Sequence, residues 1–199
     1  MIAYHRYALL VALCLLSACA ALPVAPTPQL EREYRLHAAS IYALPGWSFV
    51  GRVAIRTEHD AGTVSLSWRQ LGERYSLDLL APWGAGAVQV EGGPGAVVLR
   101  TADGIEDFAT EPAPLLSYYL GVDLPVEALR YWLLGVPDPA QEADYVLDQR
   151  GLIVELRQHG WRLDYRRYGE FAGRSLPTVV FMSGHDFELR VAIRQWETD

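Results

Sequence analysis

Proton transfer, metal ligation and nucleophilic attack need particular side chains at characteristic spacings, and this chain offers few such arrangements. His37, His59, His159 and His185 are scattered over different segments with no ligand-like spacing, and each reads as a surface or packing residue. No G-x-S-x-G elbow, H-E-x-x-H or C-x-x-C is present. All 17 basic side chains are arginine, which excludes a Schiff-base lysine and a P-loop lysine. Gly92-Gly93-Pro94-Gly95 has no helix after it and reads as a turn, not a phosphate cradle. Asp103, Glu106, Asp107 and Glu111 form an acidic cluster that reads as a solvated edge or a helix start. Asp78, Asp164 and Glu170 are individually acids or bases, but nothing in the sequence pairs them. The chain is therefore expected to be no enzyme, with no catalytic residue, no metal and no cofactor.

One reactive atom remains, the sulfur of Cys19. Leu16-Ser17-Ala18-Cys19 closes an apolar run over residues 8–16, with Arg6 ahead of it. This pattern resembles a bacterial lipoprotein signal. The run is too short to cross roughly 30 Å of hydrocarbon. The resemblance implies cleavage before Cys19, diacylglycerol on its sulfur and an acyl chain on the new amino terminus. One acyl chain binds a membrane marginally and several hold it durably, at about 0.8 kcal/mol per buried methylene. Residues 1–18 are thus expected to be a cleaved signal and 19–28 a lipidated, Pro-rich tether, with the domain over 29–199. Cys14 would leave with the signal, so no intrachain disulfide is expected. Ala20 and Ala21 stand where many inner-membrane lipoproteins carry Asp; the resemblance points to the outer membrane, facing the periplasm.

The formal charge is −7, and one unit more negative without Arg6. A net acidic chain argues against a nucleic-acid partner and against electrostatic adhesion to anionic membrane. Hydrophobic residues make up 51% of the chain, enough for a sizeable single core.

Periodicity supplies the elements. Leu30, Tyr34, His37/Ala38 and Ile41 predict an amphipathic helix within residues 29–44, ended by Pro45-Gly46. The period then falls to two: Trp47, Phe49, Val53 and Ile55; Val64, Leu66 and Trp68; Tyr75, Leu77 and Leu79; Val88 and Val90; then residues 96–101. Two helices follow, over residues 111–120 and 125–134, with Gly121 and Gly135 at their ends. Alternation resumes from Tyr145 to Ile193. The total is about eleven strands and three helices, a mainly β chain in antiparallel meanders. A single sheet of that size must curl or split. If it curls, helices can plug its concave side. Periodicity alone leaves open whether that side holds an apolar cavity or a fully packed core.

Several strings in order then resemble the LolB family of outer-membrane lipoproteins. They are Gly51-Arg52, Ser67-Trp68, Leu80-Ala81-Pro82-Trp83-Gly84 and Leu129-Arg130-Tyr131-Trp132-Leu133-Leu134-Gly135-Val136-Pro137. Gln158-His159-Gly160-Trp161, Tyr165, Leu176-Pro177 and Ile193-Arg194-Gln195-Trp196 complete them. The resemblance implies an incomplete antiparallel β-barrel with helices over its apolar concave side. It implies a monomer that takes triacylated lipoproteins from a LolA-like periplasmic carrier and inserts them into the outer membrane without ATP. A lipocalin-like lipoprotein holding a free lipid is the alternative. Candidate walls or lid of the acyl-binding cavity are Trp68, Tyr75, Leu77, Trp132 and Trp161, for which ordinary core packing is the competing reading. Arg130 is either a partner for a carboxylate or polar ligand group, or a solvated surface arginine. Pro82-Trp83-Gly84 matches the family's membrane-insertion loop, with Trp where Leu is common; the competing reading folds Trp83 back onto the sheet. Arg52, Arg56 and Arg69 are candidate basic positions for carrier docking.

Overall fold

The computed structural model describes residues 27–57, 61–81, 86–121, 124–184 and 187–199. Helix α1 (Pro28–Tyr42) starts where the Thr27 hydroxyl oxygen accepts the Leu30 N–H at 3.2 Å, with a proline in its first turn. Its buried residues are Leu30, Tyr34, Ala38 and Ile41, so of the two candidates at the third position of the stripe Ala38 is buried and His37 only partly. The chain then meanders through β1 (Gly46–Arg56), β2 (Ala61–Leu71), β3 (Arg74–Leu80), β4 (Ala87–Gly93), β5 (Ala96–Thr101) and β6 (Glu106–Ala109). Helices α2 (Pro112–Leu120) and α3 (Val126–Trp132) follow. A second meander consists of β7 (Asp144–Leu147), β8 (Ile153–Gln158), β9 (Trp161–Phe171), β10 (Arg174–Gly184) and β11 (Phe187–Thr198).

All these strands join one antiparallel sheet ordered β6-β5-β4-β3-β2-β1-β11-β10-β9-β8-β7. First and last strands pair at its centre, and β6 and β7 form its two edges, so the barrel stays open. The connection from one edge to the other carries α2 and α3. Among the described residues, the strand pairings run from Gly46 to Thr198.

Two local departures from the sequence expectation have simple causes. The acidic segment around Glu106 and Asp107 forms the edge strand β6; its four residues are too few to show alternation. Strand β10 begins at Arg174, ahead of the apolar pair Val179 and Phe181. Pro177 lacks an N–H, and the ladder with β9 shifts register beside it. At the central seam, a Cβ on Gly51 would lie 2.6 Å from the Ala192 carbonyl oxygen. Glycine lets β1 and β11 approach at their bulge.

Aromatic residues seal the end of the sheet where β1 begins. Trp47, Phe49, Trp68 and Trp196 are buried with neighbouring ring centroids 5.0 to 6.3 Å apart. Their indole N–H groups are not stranded: Trp196 donates to the Pro177 carbonyl at 2.8 Å and Trp68 to Gln70 Oε1 at 3.0 Å. A second polar node fixes α3. Gln158 Oε1 accepts from Trp132 Nε1 (2.8 Å) and the Asp138 N–H (2.9 Å), while its amide donates to the Asp138 and Gln141 carbonyls. Tyr165 donates to the Trp132 carbonyl at 2.8 Å. Buried polar groups cost free energy unless paired, so this node specifies one seating for α3.

Gln158→Leu should therefore lower stability by about 3 kcal/mol in denaturant unfolding, because it strands two donors and two carbonyls together. On α1, His37 Nε2 is buried without a hydrogen-bond partner among the described residues, and burial pushes its pKa down against the opposing pull of Glu170. Below about pH 6.5 the unfolded chain gains a proton that the folded chain resists. Stability should thus be full above that pH and fall as pH drops through the depressed folded value. His37→Leu should flatten this dependence in unfolding curves taken across pH.

Candidate functional site

The two helices close over the concave face without filling it. Beneath them lies a cavity of about 70 Å³ with a wholly apolar lining. The sheet contributes Val53 and Ile55 from β1, Leu66 and Trp68 from β2, Leu77 and Leu79 from β3, Met182 from β10, and Leu189 and Val191 from β11. The cover contributes Leu116 from α2, Val126 and Leu129 from α3, and Leu124 and Leu133 from the segments flanking α3. Register explains the convergence: Trp68 faces Leu77, Leu66 faces Leu79, and Val53 and Ile55 face Val191 and Leu189. Alternation turns these pairs to one side of the sheet. The space equals little more than two waters' worth at about 30 Å³ each, and it is dry in character because it offers water no hydrogen bond.

The cavity has a direction. Its closed end is the aromatic cluster around Trp47 and Phe49. Toward the other end, Ile55, Val64, Leu66, Leu79 and Val88 are only partly buried. The cover is uneven too. Helix α3 buries Val126, Ala128, Leu129 and Trp132, and the next buried residues, Leu133, Leu134 and Val136, extend that seat. Helix α2 buries Pro112, Leu115 and Leu116 among its described side chains and has no side-chain N-cap bond. Its Tyr119 hydroxyl reaches Asp107 on β6 at 3.3 Å. At about 1.5–3 kcal/mol per buried large apolar side chain, α3 is the fixed part of the cover and α2 the weaker part.

Of the residues singled out from sequence, Trp68 and Leu77 line the cavity. Tyr75 is buried beside Trp68, with ring centroids 6.4 Å apart, and packs against Gly92, where a Cβ would collide with its ring. Burial, with a contribution from Glu127, pushes its hydroxyl pKa up to about 12. Trp132 and Trp161 lie 6.4 Å apart between α3 and β9, outside the cavity lining. Arg130 is half-buried, with Nε 3.9 Å from Glu127 and its guanidinium 4.7 Å from the Tyr131 ring centre, so it faces a carboxylate and an aromatic of its own segment. The aliphatic walls Ile55, Leu66, Leu79, Leu116, Leu129 and Leu189 were not singled out. In sequence they are ordinary members of an apolar alternation. Only the seating of α2 and α3 separates wall from packed core.

Cys19, Pro82, Trp83 and Gly84 lie outside the described residues, as do His59 and His185. Strand β3 ends at the partly exposed end of the cavity, where the Ala81 N–H donates to the Gly86 carbonyl at 2.9 Å and Leu80 is exposed.

Among the described residues, several polar groups around this site are engaged in structural hydrogen bonds. Tyr165 and Tyr168 are held protonated by burial and donate to backbone carbonyls. His159 bonds Asp138 at 2.9 Å on the β8–β9 turn, away from the lining. Asp78 sits on β3, and Asp164 and Glu170 both sit on β9, where Asp164 is engaged by Arg162 and Glu170 by Ser175. Among the described residues, no three His, Cys, Asp or Glu side chains gather as metal ligands. What the arrangement can do is exclude water from hydrocarbon.

Residues 45–196 match the family model described as outer membrane lipoprotein LolB. The outer-membrane lipoprotein LolB of Alkalilimnicola ehrlichii is 41% identical over 182 residues, covering 91% of this chain and 90% of the relative. That of Halorhodospira halophila is 39% identical over 188 residues, covering 94% and 92%. Among solved structures, a LolA superfamily protein from Nitrosomonas europaea superposes with a TM-score of 0.53, covering 88% of this chain and 94% of that one. At 7% identity this is a likeness of fold.

Leu66→Trp should fill the cavity at a stability change below about 1.5 kcal/mol. It should weaken binding of a fluorescent long-chain fatty acid by about tenfold or more, or 1.4 kcal/mol. Denaturant unfolding and a fluorescence titration of the same sample measure the two effects.

Proposed function

The chain belongs to the outer-membrane lipoprotein LolB family, and from that premise we propose that it receives acylated lipoproteins from a LolA-like periplasmic carrier and inserts them into the outer membrane. The observation that carries this reading is the dry cavity roofed by a weakly seated helix. An acyl chain of about fifteen methylenes gains on the order of 12 kcal/mol on leaving water. The apolar face of α2 gains about half of that or less. An incoming chain therefore displaces α2 from the sheet, while α3 stays on its Gln158 node. The walls that enclose about 70 Å³ in the closed form then become the floor of a longer slot.

No nucleotide is needed if each host along the route holds the acyl chains more favourably than the last. The cavity ranks above the carrier and below the bilayer, which takes up the chains without having to move a helix. Cleavage of residues 1–18 leaves Cys19 acylated at the membrane, and residues 19–28 tether the domain on the periplasmic side. Trp83 is the side chain that enters the acyl boundary during delivery, with its N–H at the headgroup level. The domain acts as a monomer.

The deciding experiment mixes residues 27–199 with a species-matched LolA-like carrier preloaded with a labelled triacylated lipoprotein, in the absence of ATP. Near-stoichiometric movement of label onto this protein is expected. No movement, with both proteins folded, would refute the acceptor role and favour storage of a free lipid. Trp83→Glu should keep uptake and reduce delivery of the label into vesicles about tenfold, as expected for a charge forced into the acyl boundary.

A further inference from the structure

The outer face of the sheet carries a local charge opposite to that of the chain. Acidic residues outnumber arginines 24 to 17 overall. Yet Arg52, Arg56, Arg166 and Arg190 meet on one stretch of the convex face, on the strands that flank the partly exposed end of the cavity. Arg190 lies opposite Ala54 on β1 and Phe181 on β10. Arg52 lies opposite Ala192 and Ser65 and is a diagonal neighbour of Arg190. The guanidinium carbons of Arg190 and Arg166 stand 5.7 and 5.8 Å from the Phe181 ring centre, and Phe181 is 41% exposed.

Among the described residues, Asp164 and Glu188 bring carboxylates into this area, and Glu155 on β8 lies opposite Asp164. Asp164 is engaged by Arg162 at 3.3 Å and Arg166 at 4.0 Å, and Glu188 lies across from Arg56. Arg52, Arg56 and Arg190 form no ion pair among the described residues. Beside Arg56, Arg190 and Phe181 runs a groove of about 520 Å³. It is kept open by Ala54, Ala61 and Gly62, whose side chains are too short to fill it.

We propose that this face docks on the phosphate headgroups of an anionic phospholipid bilayer, which brings the open end of the cavity to the lipid surface. Arginine beside an exposed ring suits that boundary, since the ring enters the acyl edge while the guanidinium stays with phosphate. An exposed apolar side chain ends the same row: Arg52 faces Ser65, which faces Leu80, and Leu80 is 52% exposed. Net charge opposes this contact at long range, but beyond about 8–10 Å salt screens it, and the arginines decide at contact.

Docking needs neither cargo nor carrier, so it is tested apart from the acceptor role. Residues 27–199 are floated with vesicles of phosphatidylcholine alone or with about one-third phosphatidylglycerol. Partitioning should require phosphatidylglycerol and fall at high salt. Arg52→Gln and Arg190→Gln should each reduce it about fivefold, while Arg150→Gln in the β7–β8 turn changes nothing and thermal unfolding stays at the parent value. Equal binding to both vesicles, no binding to either, or variants that bind like the parent would overturn the proposal. So would complete competition by millimolar glycerophosphate, which would mark a free-phosphate site. Variants that bind vesicles normally but lose uptake from the carrier would make this face a protein dock, overturning the lipid proposal and leaving the acceptor reading intact.

Discussion

An apolar concave face that no strand covers is the constraint from which the rest of the molecule follows. Strands β1 and β11 pair at the centre, so both meanders run outward and leave β6 and β7 unpaired at the edges. Had these edges met, side chains would have filled a closed barrel. Because they do not, the edge-to-edge connection has to bury the inner face, and it does so with two short helices. A helix of nine residues has little stability of its own in water, so α2 persists through what it covers. Burial that holds a helix in place is also burial that a better apolar guest can take over.

Polar contacts divide the cover into a fixed and a yielding part. The side chain of Gln158 pairs four groups from α3 and the segment after it, and Tyr165 adds a bond to the Trp132 carbonyl. Undoing that node would strand several buried groups at once. Among the described residues, the side-chain bond from helix α2 to the sheet is that of Tyr119 to Asp107, at the edge strand. Aromatic packing around Trp47 and Trp196 closes the opposite end. Together these leave one direction in which the cavity can lengthen.

Charge follows a comparable division. A count over the chain argues against any attraction to an anionic surface, and as a statement about the far field it holds. Strand alternation nevertheless sends Arg52, Arg56 and Arg190 to the same face of adjacent strands, where the register lines them up with Phe181. Net charge carries no information about such a grouping, because residues 52 and 190 become neighbours only when the first and last strands pair.

Much was legible in the sequence, and for local reasons. The stripe of Leu30, Tyr34, His37/Ala38 and Ile41 marks α1 because helical periodicity is a nearest-neighbour property. The two-residue alternation from Trp47 onward marks strands on the same ground, and the number of strands already demanded that a single sheet curl or split. The ordered strings from Gly51-Arg52 to Gln195-Trp196 pointed to the family. Tertiary structure decided which apolar residues face empty space and which are packed solid. Trp132 and Trp161 fill the seat of α3, while Leu66, Leu79 and Leu189 bound the cavity. Side-chain type does not separate these groups, because hydrophobic burial is set by area and has no direction. A cavity is a shortfall of volume among segments distant in the chain, here β1, β3, β11 and two helices, and it exists only once all of them are in place.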